Sequence, residues 1–330
     1  MSEFQSLSFE ELLPRLSTPT DTLVLFHRNP DADAVGSAFA LKKVLADLGS
    51  RTFCVCESEI PARLGFLTDG LEQKSVLPEA IPADFEVGRI VSVDTASPAQ
   101  LGALYELYGG QIDLMIDHHG MGEPYADHYI RPDAAATGEI MFDLVKQLAT
   151  DGLVTITDEL CVALYGAISA DTGCFRFQNV TPDTHLRAAE LMASGIDCAE
   201  INHRLFDSFS LEQLRARAAG ISNLQLFADG AVAVITFPYA LKVALGLEDC
   251  HLDTLVDVAR SLSGVKVAVC IRQPGTEGVF RVSMRSACDC DVSAICATFG
   301  GGGHKKAAGC TITAADMDEA IRKLVAEIPL

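Results

Sequence analysis

Cations are scarce in this chain. Its 330 residues carry 25 Lys and Arg against 45 Asp and Glu, a formal net charge of −20 at pH 7. Phosphate backbones are gripped through Lys and Arg, so this balance argues against a protein that coats long nucleic acid or lies on an anionic membrane. Any anionic substrate must then be met by a local positive site. No C-x-x-C pair occurs among the eleven cysteines; Cys54/Cys56 and Cys288/Cys290 are the closest pairs. Zinc held by cysteines is therefore not expected, and an odd number of scattered thiols reads as reduced, buried groups in a reducing cytoplasm. No apolar run approaches the ~18 residues of a membrane span. The start, MSEFQSLSFEELLPRL, lacks the basic-then-apolar order of a signal peptide. A cytoplasmic location is expected.

What is present suits a globular protein. Hydrophobic residues make up 49% and charged residues 21% of a chain long enough for two domains of ordinary size. The first half alternates between two periodicities. Residues 22–27, 52–56, 89–93 and 112–116 are strand-like apolar runs, and 34–48, 137–148 and 157–170 have helical spacing. Such alternation predicts an α/β domain over 1–180, a parallel sheet covered by helices. Helices at 184–195 and 211–221 form a connector across 181–222. A smaller α+β domain is expected over 223–330. Its strands at 265–272 and 278–285 form a hairpin turned at Pro274-Gly275, its helices lie to one side, and a glycine run precedes a short strand at 310–313.

The strand ends are where the unusual residues stand. The first runs into His27, Asp31 and Asp33, another ends at Asp94, and a third ends at Asp117-His118-His119; the helix reaching Ala170 ends at Asp171. In open parallel sheets, ligands bind outside the carboxyl ends of the strands. Each acid alone reads as a helix cap or a turn residue, and His118 alone as a core histidine. Together they crowd one rim, and carboxylates so placed repel unless cations offset them. Asp31, Asp33, Asp94 and Asp171 carry four negative charges, which two divalent ions would balance. Imidazole with carboxylate and no thiolate suits Mn²⁺, with Mg²⁺, Co²⁺ and Zn²⁺ left open.

Four ordered segments carry a resemblance: HRNPDADAVGS (27–37), VDTA (93–96), IDHHG (116–120) and SADTG (169–173). They are similar to the motifs of the DHH phosphoesterase superfamily. VSMRS (282–286) and FGGGGHKKAAG (299–309) resemble its DHH-associated C-terminal domain. The compact two-domain form is most similar to the bacterial bifunctional oligoribonucleases and pAp phosphatases, the nanoRNases. By position, the resemblance implies that His27, Asp31 and Asp94 hold one metal and that Asp33, Asp94, His118 and Asp171 hold the other, with Asp94 bridging. Asp117 would steer a ligand imidazole through its ring N–H, and His119 would face the substrate phosphate or the outer shell.

Two metals can clamp both sides of an in-line displacement at phosphorus and acidify the attacking water. The substrate's own charge would be met in the second domain. Arg285 and Ser286 end a strand there, Gly301, Gly302 and Gly303 let backbone N–H groups approach an anion, and His304 follows. The glycine run alone would read as a flexible loop. Arg176 and Asn179 are further candidates for substrate contact; Lys305 and Lys306 read as a solvated, steering pair, and Arg272 and Arg281 as surface strand residues. Two half-sites on two domains imply a cleft that closes on substrate. The expected activity is metal-dependent hydrolysis of RNAs of about two to five nucleotides to nucleoside 5′-monophosphates, a range compatible with a weak basic field. Removal of the 3′-phosphate of pAp is a second expected activity.

The rivals are a linear or cyclic dinucleotide phosphodiesterase, a RecJ-type single-strand exonuclease, a family-II-type pyrophosphatase and a non-catalytic nucleotide sensor. Charge and length disfavour the exonuclease, and the GGGGH signature disfavours the pyrophosphatase. A sensor would have lost a ligand, and none is missing. A homodimer is left open, as are the native metal and the direction of degradation.

Overall fold

The computed structural model of the chain describes residues 4–329 and, of His304, the backbone alone. Packing divides the chain into two units, Met1–Ser208 and Phe209–Leu330. The first begins with α1 (Phe9–Ser17), whose N-terminus is closed by a reciprocal Ser8/Glu11 cap. There follow β1 (Thr22–Leu25), α2 (Ala32–Asp47), β2 (Thr52–Val55), β3 (Arg89–Val93), the short helices α3 (Pro98–Leu101) and α4 (Ala103–Tyr108), β4 (Leu114–Asp117) and β5 (Asp127–Ile130). Then come α5 (Thr137–Thr150), α6 (Asp158–Asp171), α7 (Pro182–Met192) and α8 (Cys198–Asn202).

The sheet order is β2-β1-β3-β4-β5, parallel throughout. Strand residues alternate between two cores. Val24, Phe26, Val91 and Ile116 face the layer of α2, α5 and α6, whereas Leu23, Leu25, Ile90 and Met115 face Leu101 and Leu104. That two-sided burial explains why β1, β3 and β4 read as unbroken apolar runs. The chain passes from β1 to β2 on one side and then crosses to β3 on the other. The strand order therefore reverses between β1 and β3, the kind of point at whose carboxyl ends open α/β sheets bind ligands.

The second unit contains α9 (Leu211–Ser222), β6 (Leu224–Phe227), β7 (Val232–Phe237), α10 (Tyr239–Ala244), α11 (Leu255–Arg260), β8 (Val267–Arg272), β9 (Val279–Ser286), α12 (Val292–Thr298), β10 (Gly302–His304), β11 (Ala307–Thr313) and α13 (Met317–Ala326). Its mixed sheet has the order β10-β11-β9-β8-β7-β6, with only β7 and β8 parallel. Helices cover both faces rather than the single face expected. Val267, Val269 and Ile271 pack towards α12 and α13, and Ala268 and Cys270 towards α9 and α11. Of the stretch expected to be a connector, α7 and α8 bury Ala188, Leu191 and Ile201 in the first unit's core, whereas α9 buries Ala216 in the second's. All eleven cysteines are free thiols.

Candidate metal centre

Beyond β1 the chain turns through His27 to Asp31, the N-cap of α2. Asp31 Oδ1 accepts from the backbone N–H groups of Asp33 and Ala34, each at 3.0 Å. His27 Nε2 lies 3.7 Å from that oxygen and 3.7 Å from Asp94 Oδ2. Asp94 leaves β3 in left-handed backbone, φ 52°, with its N–H on the carbonyl of Ile116 at 3.0 Å. A non-glycine residue held there costs of order 1–3 kcal/mol, which a functional site tolerates more readily than a plain turn. The carboxylate is almost fully buried, and its second oxygen, Oδ1, is 3.8 Å from His118 Nε2. Oδ1 is also 3.8 Å from His119 Nδ1, so one oxygen of Asp94 faces His27 and the other faces His118 and His119.

His118 follows β4. Its Nδ1 stands 3.2 Å from the carbonyl oxygen of Ala134, so the ring hydrogen belongs on Nδ1. That leaves the lone pair of Nε2 aimed at Asp171 Oδ2, Asp94 Oδ1 and Asp33 Oδ2 at 3.3, 3.8 and 3.9 Å. Nε2 is buried and has no hydrogen-bond partner of acceptable alignment. A nitrogen lone pair among carboxylate oxygens is repulsive unless a cation or a proton lies between them. Two donors, each about 2.1 Å from one ion, are roughly 3.0 Å apart at a right angle and roughly 3.4 Å apart in a tetrahedron. The observed spacings suit ligand-to-ligand contact around a cation. Three groups have donor atoms that all lie within 4.8 Å of one another: His27, Asp31 and Asp94; Asp33, His118 and Asp171; and Asp94, His118 and His119. Asp171 ends α6, where the helix dipole disfavours a carboxylate and a cation would relieve it.

Electrostatics point the same way. Burial pushes Asp33 well above the ordinary carboxylate range, and the neighbouring charges of Asp94 and Asp171 add to it. Burial, reinforced by Asp31, lifts Asp94 to about 6. Burial opposes the imidazolium of His27, but Asp31 outweighs it and raises the pKa to about 9. The same contest at His118, won by Asp171, Asp33 and Asp94, raises its pKa to about 11. Without metal the cluster therefore gathers protons in place of cations.

Asp117 Oδ1 accepts from the backbone N–H of His118 at 2.9 Å and from His119 Nδ1 at 2.6 Å. The imidazole it steers is thus that of His119, while the carbonyl of Ala134 steers His118. Burial works against the Asp117 carboxylate, but the His119 hydrogen bond outweighs it and keeps the pKa below the ordinary value.

The amino end of α5 was not legible as part of the site. Asp33 is fully buried and accepts from Thr137 N–H at 2.7 Å, Gly138 N–H at 2.8 Å and Ser37 Oγ at 3.0 Å. The only sequence signal was a helix expected to start at Thr137. Arg176 donates from Nε to the carbonyl of Gly173 at 2.6 Å, and Asn179 donates to the carbonyls of Ala135 and Asp171 at 2.9 and 3.1 Å. Both brace the loop after α6.

In the second unit the glycine run is not a loop: Gly302–His304 pairs with Ala307–Gly309 as an edge hairpin. Gly303, at φ +139°, comes so close to Ala308 that a Cβ would sit 2.7 Å from its Cα, so only glycine fits. Arg285, on β9, is opposite Ala307 on the other side of β11, with Nη1 on the carbonyl of Met284 at 3.0 Å. Ser286 is buried and donates to the carbonyl of Cys288 at 2.9 Å. Gly301 packs on Cys310, whereas Gly302 faces open space. The side chain of His304 lies outside those described. Lys306, expected in solvent, is half-buried with its ammonium on the carbonyl of Cys288. Arg272 is paired with Asp253 at 2.8 Å, and Arg281 is exposed.

Known proteins are similar to this chain in sequence and fold. The sequence pattern of the DHH family, N-terminal domain, matches residues 21–168, and that of the DHHA1 domain matches residues 233–328. The bifunctional oligoribonuclease and PAP phosphatase NrnA of Thermus thermophilus is 31% identical over 301 residues, 91% of this chain and 86% of that protein. The cyclic-di-AMP phosphodiesterase GdpP of Geobacillus thermodenitrificans is 26% identical over 319 residues, 92% of this chain but 46% of that protein. The crystal structure of an exopolyphosphatase-related protein from Bacteroides fragilis superposes with a TM-score of 0.87 at 20% identity, covering 97% of this chain and 94% of that one, and shares the fold.

Proposed function

From the premise that the chain belongs to the DHH family, we propose that it is a metal-dependent phosphoesterase that hydrolyses short oligoribonucleotides to nucleoside 5′-monophosphates and pAp to AMP. Similarity to an oligoribonuclease and PAP phosphatase over most of both chains supports the substrate class. The observation that carries the chemistry is the bridging posture of Asp94, with one oxygen towards His27 and the other towards His118. In this reading His27, Asp31 and Asp94 hold one divalent ion, and Asp33, Asp94, His118 and Asp171 hold the other, Mn²⁺ being the ion the donor set suits best. Two such ions, when bound, supply a nucleophile from water at neutral pH and offset the charge that builds on the phosphoryl oxygens.

The chain's own residues do the rest. The carbonyl of Ala134 fixes the tautomer of His118, so that Nε2 is the ligating atom. Asp117 holds His119 through Nδ1, and the ring so oriented is assigned to proton exchange with the phosphate or its leaving oxygen. Asp117 and His119 are thus assigned to catalysis. Arg285, Ser286, Gly301, Gly302, Gly303 and His304 are assigned to the nucleotide phosphate, for which the hairpin of Gly302–His304 offers backbone N–H groups. Free thiols throughout suit a reducing compartment such as the cytoplasm. No helix among the described residues is long and apolar enough to cross a membrane.

The test is mass spectrometry of the products from a panel of RNA dimers to pentamers, pAp, linear dinucleotides, cyclic di-AMP and pyrophosphate, with Mn²⁺ present. Nucleoside 5′-monophosphates from the RNAs and AMP from pAp are expected. Turnover of cyclic di-AMP or pyrophosphate alone would overturn the substrate assignment.

A further inference from the structure

One residue touches both central carboxylates. Thr137, fully buried at the start of α5, donates its backbone N–H to Asp33 Oδ2 at 2.7 Å and its hydroxyl to Asp94 Oδ1 at 2.9 Å. Asp33 lies on α2 and Asp94 follows β3, so no local chain geometry relates the two. Left to themselves, two buried carboxylates that both face His118 Nε2 would swing apart.

The first turn of α5 is built to resist that. Its N-cap, Ala136, has no side chain that could satisfy the turn's open N–H groups. The carboxylate of Asp33 does so instead, taking Thr137 N–H on one oxygen and Gly138 N–H on the other. The turn is itself anchored from behind. Glu139 Oε2 accepts from Ala135 N–H at 3.2 Å and lies 3.7 Å from both Arg131 and Arg187. A hydroxyl on such a rigid platform defines where Asp94 Oδ1 must lie. The oxygen's other lone pair remains available on the side of His118.

We propose that Thr137 is the positioning residue of the site: its hydroxyl sets the angle of Asp94 so that one carboxylate serves both ions. This rests on the ligand assignment given under Proposed function and adds to it a requirement that no ligand list contains. The donor matters, not the volume. Valine has threonine's shape without the hydroxyl, and would leave a buried carboxylate oxygen short of one hydrogen bond.

The test compares Thr137→Val, Thr137→Ala and Thr137→Ser with the wild-type chain. Mn²⁺ affinity is read by electron paramagnetic resonance, metal-free stability by thermal melting in chelator, and kcat and KM on a short RNA. Val and Ala should weaken Mn²⁺ binding by about tenfold to a hundredfold, as loss of a group that orients a ligand does. They should lower kcat with little change in KM, and Ser should restore both. Wild-type affinity in Val or Ala would overturn the inference while leaving the ligand assignment intact, and so would Ser binding as weakly as Val. A wild-type chain that binds no Mn²⁺ would overturn the assignment itself, and the inference with it. Should Val fail to fold, Ala and Ser carry the comparison.

Discussion

Gly36 on α2 rests directly on the backbone of α6 at Ala163. A Cβ at Gly36 would overlap the carbonyl oxygen of Ala163 and lie 3.0 Å from the Cβ of Ala167. The two helices therefore approach as closely as their backbones allow, and this sets the distance between Asp33 near the start of α2 and Asp171 at the end of α6. Gly36→Ala must force them apart. It is expected to lower stability by about 1–3 kcal/mol, the cost of overpacking a tight core, and to weaken Mn²⁺ binding as well. Denaturant midpoints with and without Mn²⁺ check both effects: a larger loss in the presence of metal is expected.

Asp94→Asn keeps the shape of the bridging side chain and removes its charge. Mn²⁺ affinity and turnover should fall by more than the roughly 10–100-fold typical of groups that only orient a ligand. His118→Ala should act similarly by removing the Nε2 donor. Kinetics on pAp and on an RNA dimer give the answer, and unchanged turnover in both variants would end the two-metal reading.

Metal uptake should release protons. In the metal-free protein His27 titrates at about 9 and His118 at about 11, so both are protonated at neutral pH. An ion can bind them only through freed lone pairs, so affinity should rise with pH from neutrality through about 9. Calorimetry in buffers of different ionisation enthalpy should show more than one proton released as the site fills. A heat independent of the buffer would contradict this.

Asp143 on α5 makes a fork with Arg187, 2.8 Å from each of Nε and Nη2, and a further contact of 2.6 Å with Arg131. Burial opposes its charge, but Arg187 and then Arg131 outweigh burial and hold its pKa below the ordinary value. A carboxyl depressed in the folded state adds stability above its unfolded pKa of about 3.9. That stability is lost as pH falls through the native value. Asp143→Asn should melt below wild type at neutral pH, and the gap should close as the pH drops below about 4. Melting curves across pH 2–8 measure it.

The clustered acids and imidazoles proposed as ligands were legible because their chemistry is carried by residue type. Acids and imidazoles at the ends of apolar strands have few other uses, and β1, β3 and β4 have unmistakable apolar runs. The scaffold around them was not legible. The carbonyl of Ala134 and the N–H groups of Thr137 and Gly138 are backbone atoms that every residue but proline would supply, and only the fold shows that they converge. The strand β5, with the sequence DHYI, is only half-buried and shows no apolar run. The glycine run in the second unit forms a strand, which glycine's low strand propensity conceals. The helix α11, which helps to cover the second face of that sheet, was missed because its six residues are too few to show a clear period.

Each unit buries an apolar interior of its own: one built on Phe26, Phe39 and Leu41, the other on Phe280, Val282 and Met284. Heat should therefore undo the chain in two endotherms rather than one. The six side chains assigned to the cations all belong to Met1–Ser208, so EDTA should drag only that unit's endotherm to lower temperature. The chain's thermogram would thus report, without any substrate, which half of the molecule holds the metal.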